Sequence, residues 1–259
     1  MIRMNGRSSS LFIEVTIAEH FCSVNPPFLS FFEINTKMDK KSLIKKILLA
    51  FEQSSTSIKY DAIYKYDDGP NDKKQITVSF GITEYGNLKS LVKSYCFKNG
   101  KHSSEFTPYI PKIGVESLVE DTKFLQLLKE SSASDPVMQM CQEESYDSMY
   151  INPAYAFCEK NKLELPLSKL VICDSYLHSG SILSSLRNSF SESVPVNGGN
   201  EKVWVESYCK ARRSWLANHS RKILNKTVYR MDFMIDRIEK GDWELTQSPF
   251  NANGVKIIS

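Results

Sequence analysis

No apolar run in the chain approaches the roughly 20 residues that cross a bilayer, so the sequence carries no expectation of a membrane span. Concentrated positive charge is missing too. Lys and Arg total 33 against 30 Asp and Glu, a net charge of +3. They are scattered rather than gathered in a stripe, so the electrostatic footprint of nucleic-acid binding is absent. Paired cysteines are also lacking. Cys22, Cys96, Cys141, Cys158, Cys173 and Cys209 sit singly, with no Cys-x-x-Cys. None stands at zinc-ligand spacing from His20, His102, His178 or His219. The expectation is free thiols buried as small hydrophobes, with no disulfide framework, metal or organic cofactor. Internal repeats and low-complexity tracts are absent as well.

The first 38 residues lack the continuous apolar region and small-residue cleavage site of a signal peptide. Pro26-Pro27 separates the short apolar patches Leu11-Phe12-Ile13 and Phe31-Phe32. Residues 1–38 therefore read as an N-terminal extension outside the fold, disordered or loosely packed, and residues 39–259 as one domain.

What is present is a 41% hydrophobic composition, enough for one sizeable core or two lobes sharing a cleft. Leu43, Ile44, Ile47, Leu48 and Phe51 recur at helical spacing, with Asp39 as the cap and Glu52 on the last turn. From Gln75 to Ile82 the period becomes two, which predicts one half-buried strand preceded by a polar loop or hairpin over residues 67–75. Asn87 is placed to cap a helix carrying Leu88, Leu91, Val92 and Tyr95. Further helices are expected over 115–131, 136–149, 153–161, 167–178, 181–190, 201–218 and 225–240, with Gly241 ending the last. The fold class is mainly α (α+β) with one small β element near the front.

Cleaving a glycosidic bond takes two carboxyl groups across the sugar, one protonated to release the leaving oxygen and one to attack or to activate water. An acid ending a helix and a second on a nearby hairpin supply that pair. Glu52 and Asp72 are so arranged, with Thr77 on the polar face of the strand where a hydroxyl can hold water. On spacing alone Asp67 and Asp68 compete for the second role, and a solvated acidic loop explains all three.

The run Tyr64-Lys65-Tyr66, then Asp72, then Thr77 resembles the chitosanases of glycoside hydrolase family 46, in which a helix ending in Glu is followed by Tyr-x-Tyr and Asp-Gly-Arg-Gly-x-Thr. Downstream, Tyr150-Ile151-Asn152-Pro153-Ala154, Asp174 with Gly180, and Gly198-Gly199-Asn200-Glu201 followed by Ala211-Arg212 are similar to family segments in the same order. The resemblance spans roughly residues 41 to 259. It implies a two-lobed lysozyme-like fold with a small β-hairpin beside the cleft. It implies Glu52 as general acid, Asp72 as general base, and Thr77 as the residue orienting the water. Asp174 and Arg212 would form a charged network behind the acid, and Tyr66, Lys74, Asn87 and Glu201 would contact substrate. A proton donor of this kind is expected to be partly buried behind Phe51.

The departures bear on substrate. Asp-Gly-Arg-Gly is replaced by Asp72-Lys73-Lys74-Gln75, and a loop without those glycines takes positive φ less easily. Lysine cannot reproduce a bidentate arginine contact. Asn87 stands where the family has an aspartate that contacts the glucosamine amino group, Ser193 replaces an arginine, and His178 is assigned no role. The resemblance implies an endo-acting, inverting hydrolase of β-1,4-linked, glucosamine-containing polysaccharide, extracellular in action and monomeric, whose partner is chitosan. The pI near 8.4 and the lysines beside Asp72 also suit peptidoglycan, the alternative polymer, although Asp67, Asp68 and Glu84 can line an acidic cleft. A catalytically inactive relative that binds sugar or protein is the remaining reading.

Overall fold

The computed structural model describes residues 38–259; the expected N-terminal extension, with His20 and Cys22, lies outside the described residues. Helix α1 (Lys40–Gln53) starts where expected. The Asp39 carboxylate accepts hydrogen bonds from the backbone N–H of Lys41 at 3.2 Å and Ser42 at 3.0 Å, satisfying donors with no partner inside the helix. The helix ends at Ser54, whose φ of 49° breaks the repeat. Leu43, Ile44, Ile47, Leu48 and Phe51 are buried.

A three-stranded antiparallel sheet follows, made of β1 (Ile63–Tyr66), β2 (Gln75–Val78) and β3 (Ile82–Thr83) in that order. The single strand expected over 75–82 is in fact two. The chain reverses at Ser79–Gly81, with φ of 65° at Phe80 and 73° at Gly81, and β3 returns along β2 with Val78 opposite Ile82. Directly opposed residues share a face. Ile76, Val78 and Ile82 therefore stay on the buried side despite the turn, which is why a period of two runs through it.

Helices α2 (Leu88–Phe97), α3 (Ser103–Phe106), α4 (Thr122–Ser134) and α5 (Pro136–Tyr146) complete the smaller lobe. The helix expected from 115 starts instead at Thr122, because the Asp121 side chain accepts from the N–H of Phe124 at 2.9 Å and sets the N-terminus there. A five-residue turn of π-helix, Asp147–Ile151, joins α5 to α6 (Asn152–Asn161). Helices α7 (Pro166–Ser179), α8 (Ser184–Arg187), α9 (Glu201–Ala217), α10 (Lys222–Asn225) and α11 (Tyr229–Glu239) follow, then the hairpin β4 (Phe250–Ala252) and β5 (Val255–Ile257). The helix expected over 181–190 shrinks to four residues. Its serines offer the backbone side-chain partners instead, as Ser189 does by donating to the Leu186 carbonyl at 2.7 Å. Gly241 ends α11 with φ of 65°.

Two buried clusters result. The larger gathers residues of α1, α6, α7, α9, α11 and β4–β5 around Trp204 and Tyr208. The smaller gathers the three-stranded sheet with α2, α4 and the start of α5. Helix α5 belongs to both, giving Met138 and Cys141 to the smaller core and Tyr146 to the larger. This is the two-lobed, mainly helical architecture expected. The five described cysteines are free thiols, four of them buried. No described helix is long and apolar enough to cross a membrane.

Candidate active site

Between the two clusters lies a cavity of about 580 Å³. Glu52, at the end of α1, forms one side. Tyr64, Tyr66 and Thr77 from the β1–β2 hairpin form another, and Phe80, Tyr146 and Tyr150 contribute further walls. The hairpin register explains the grouping. Tyr64 opposes Thr77 and Tyr66 opposes Gln75, so these four share one face, while Ile76 and Val78 on the other fill the small core. The rings of Tyr64 and Tyr66 stack at 5.8 Å with an interplanar angle of 23°. Both are about half exposed. Burial, and then the charge of Glu52, raise Tyr150 above the ordinary tyrosine range, which leaves a neutral hydroxyl in the wall.

Behind Glu52 is a chain of buried charge. Arg230 donates through Nη2 to Glu52 Oε1 and through Nη1 to Asp174 Oδ1, the latter at 2.7 Å. Arg212 Nη2 lies 3.8 Å from Asp174 Oδ2. Asp174 and Arg212 are wholly buried, and 3% of the Arg230 side chain is exposed. Arg212 also donates to Ser179 Oγ at 3.1 Å and to His178 Nδ1 at 3.0 Å. Burial, and after it the positive charge of Arg230, push His178 down to about 4, so the ring is a neutral acceptor. Burial works against the charge of Arg230, but Asp174 and then Glu52 outweigh it and raise its pKa above the ordinary arginine value. Asp174 and Arg212 thus lie together in the interior, and Arg230 links Asp174 to Glu52. Glu52 itself is partly covered, as expected. Its side chain is 38% exposed while its ion-pair partner Arg230 is only 3% exposed.

A model of glycosyl hydrolase family 46 matches residues 46–249. The chain belongs to glycosyl hydrolase family 46. It is a glycoside hydrolase, and its fold is the lysozyme-like one. Among solved structures it is similar to the native chitosanase of Bacillus subtilis MY002, with 19% identity, a TM-score of 0.69, and coverage of 86% of this chain and 99% of that one. It is also similar to the family 46 chitosanase of Gynuella sunshinyii in complex with chitotetraose, with 18% identity, a TM-score of 0.68, and coverage of 85% and 96%. A mutant of the Bacillus enzyme complexed with 6 GlcN gives 20% identity and a TM-score of 0.68 over 86% and 98% of the chains. No curated protein sequence matches.

Against this family's pattern, Thr77 stands in the cavity with Glu52, and its Oγ1 makes no hydrogen bond among the described residues. Asp72 is exposed in the β1–β2 loop, outside the cavity wall. Positive φ comes without glycine there: Asn71 and Asp72 adopt 56° and 57°. Asn and Asp are the side chains that tolerate this region best. Lys74 is exposed on the same loop. Asn87 stands at the N-cap of α2, as expected, but its side chain makes no capping bond. Its Nδ2 lies 2.6 Å from Met149 Sδ in the π-helical turn. Glu201 is not part of the cavity wall and accepts from the Leu165 N–H at 2.9 Å, fixing the approach to α7. Glu84 lines no acidic cleft: it is fully buried and accepts from the N–H of Leu118 at 2.6 Å and of Ile76 at 3.1 Å. Arg230, Tyr64, Tyr146 and Tyr150 were not among the expected site residues. For Arg230 a signal existed. It starts a stripe Arg230, Phe233, Met234, Arg237 at positions i, i+3, i+4 and i+7 of α11, all buried. An arginine inside an apolar stripe calls for a buried carboxylate.

Proposed function

We propose that the protein is an endo-acting, inverting chitosanase that hydrolyses β-1,4 bonds of glucosamine-containing polysaccharide. The observation that carries this reading is Glu52 at the cavity wall, held from behind by Arg230 and Asp174, with Thr77 of the hairpin in the same cavity. In this mechanism the Glu52 carboxyl gives its proton to the glycosidic oxygen as the bond to the anomeric carbon breaks. Water attacks that carbon from the opposite face, and Asp72 takes the proton the water loses. Thr77 Oγ1, free of partners in the described chain, is suited to hold that water. The single displacement inverts the anomeric carbon and needs about 6.5–9.5 Å between the carboxyl groups, room for one water. The Tyr64–Tyr66 stack offers aromatic faces to the sugar rings. Extracellular action by a monomer is part of the reading.

Peptidoglycan is the second substrate considered. It is favoured by Lys59 in the cavity wall and by the uncharged Asn87. Release of reducing ends from chitosan, glycol chitin and purified peptidoglycan separates the two, and proton NMR of the first product decides the anomer. Release from chitosan with the α-anomer formed first supports the proposal. Release from peptidoglycan alone replaces it with the second reading.

A further inference from the structure

Gln75 is a polar residue only 5% exposed, on the hairpin face that also carries Tyr66, its direct partner across the strands. Both ends of its amide are used. Oε1 accepts from the N–H of Tyr85 at 3.4 Å, and Nε2 donates to Asp68 Oδ1 at 2.8 Å. The loop is drawn over it by a hydrogen bond from the Gly69 N–H to the Lys73 carbonyl at 2.9 Å.

The result is a carboxylate anchored through Gln75, the cross-strand partner of Tyr66, and two residues beyond that tyrosine in the chain. The fixing group is neutral, which matters. Elsewhere in the fold Glu120 is paired with Lys65, and Asp147 with Lys45 and Lys41. Asp68 is held in place without a cation to cancel its charge, and no described group bonds its second oxygen. Asp72, four residues on, makes no hydrogen bond or ion pair among the described residues. A pyranose on an aromatic face with a carboxylate at its rim is how an amino sugar differs, chemically, from a neutral one: the ammonium finds a partner.

We infer that Asp68, positioned by Gln75, is a specificity residue that binds the ammonium of a glucosamine unit lying on the Tyr64–Tyr66 stack. The inference rests on the amino-sugar reading above but not on its catalytic roles. Calorimetry on the full-length Glu52→Gln protein tests it, with a glucosamine hexamer and an N-acetylglucosamine hexamer as probes. Adding Asp68→Asn weakens the glucosamine hexamer by about tenfold, the worth of one charge-assisted hydrogen bond, and leaves the acetylated hexamer within about twofold. Gln75→Leu, with folding checked by melting, shifts the same ratio in the same direction. An unchanged ratio for Asp68→Asn overturns the inference, and so does equal weakening of both hexamers. A hundredfold loss of kcat from Asp68→Asn alone, with binding intact, overturns it by making Asp68 the base. If the wild-type chain leaves chitosan uncut yet binding depends on Asp68, the catalytic reading fails and this inference stands.

Discussion

Glu52 and Arg230, 178 positions apart in the chain, meet in a direct ion pair between the C-terminal end of α1 and the first turn of α11. A second bond braces the same two helices, from the Tyr229 hydroxyl to the Phe51 carbonyl at 2.7 Å. The proposed acid is therefore held by its own side chain and by the carbonyl of its neighbour Phe51.

Glu52→Gln keeps the shape and an acceptor for Arg230 but has no proton to give. Activity on chitosan falls by about 10²–10⁴, the usual worth of a general acid, while the circular dichroism spectrum is unchanged. A loss under tenfold refutes the role.

Two substitutions at Asp72 separate chemistry from backbone. Asp72→Asn tolerates the positive φ, so the melting temperature holds while activity falls as steeply as for Glu52→Gln. Asp72→Ala loses the same activity and about 1 kcal/mol of stability as well, because alanine is strained there. Thr77→Ala gives a smaller loss of activity than either carboxylate, since it misplaces water without removing a proton carrier. A mild Asp72→Asn beside a severe Asp68→Asn would reassign the base.

Arg230→Met strands Asp174, which has no exposed surface, with only Arg212 at 3.8 Å. Breaking a buried ion pair by removing one partner costs about 3–5 kcal/mol, read as a lower urea midpoint. Arg230→Lys recovers part of it, because one ammonium cannot bridge Glu52 and Asp174 as a guanidinium does. Equal midpoints for Arg230→Met and wild type would show that the pair adds nothing.

His178 gives a pH signature. Its folded value of about 4 lies below the ordinary 6.5, so between these the unfolded chain takes up a proton that the folded chain refuses. Stability from this group is complete above pH 6.5 and is lost as pH falls towards 4. His178→Gln, which can still accept from Arg212, flattens that part of a urea-midpoint profile between pH 4 and 7. A profile that keeps its slope assigns the loss to other groups.

Local pattern carried much of this architecture. The spacing of Leu43, Ile44, Ile47, Leu48 and Phe51 and the Asp39 cap locate α1 to within a residue, because one helix buries one stripe. The resemblance to the family named Asp174 and Arg212 together, and the fold brings them to 3.8 Å. The Phe80 turn was not, since paired strands keep the alternation going through a reversal. Glu84 was misread because a carboxylate spent on a backbone N–H looks the same in sequence as one that faces sugar, and Glu201 also accepts from a backbone N–H. Asn87 does sit at the cap position, but its amide goes to Met149 instead of the helix N–H groups. What composition cannot reveal is which partner, near or 178 residues away, a polar side chain chooses.

The two separate hydrophobic clusters have a consequence for how the molecule breathes. Regions with their own packed interiors open with their own free energies. Amides of α2 and the β1–β3 sheet, backed by the smaller cluster, are expected to exchange with deuterium sooner than those of α1 and α7. Opening of that kind would disarm Asp72 and Thr77 while leaving Glu52, Arg230 and Asp174 assembled. On the proposed roles, a chain so opened would keep its acid and lose its base, and cleave nothing.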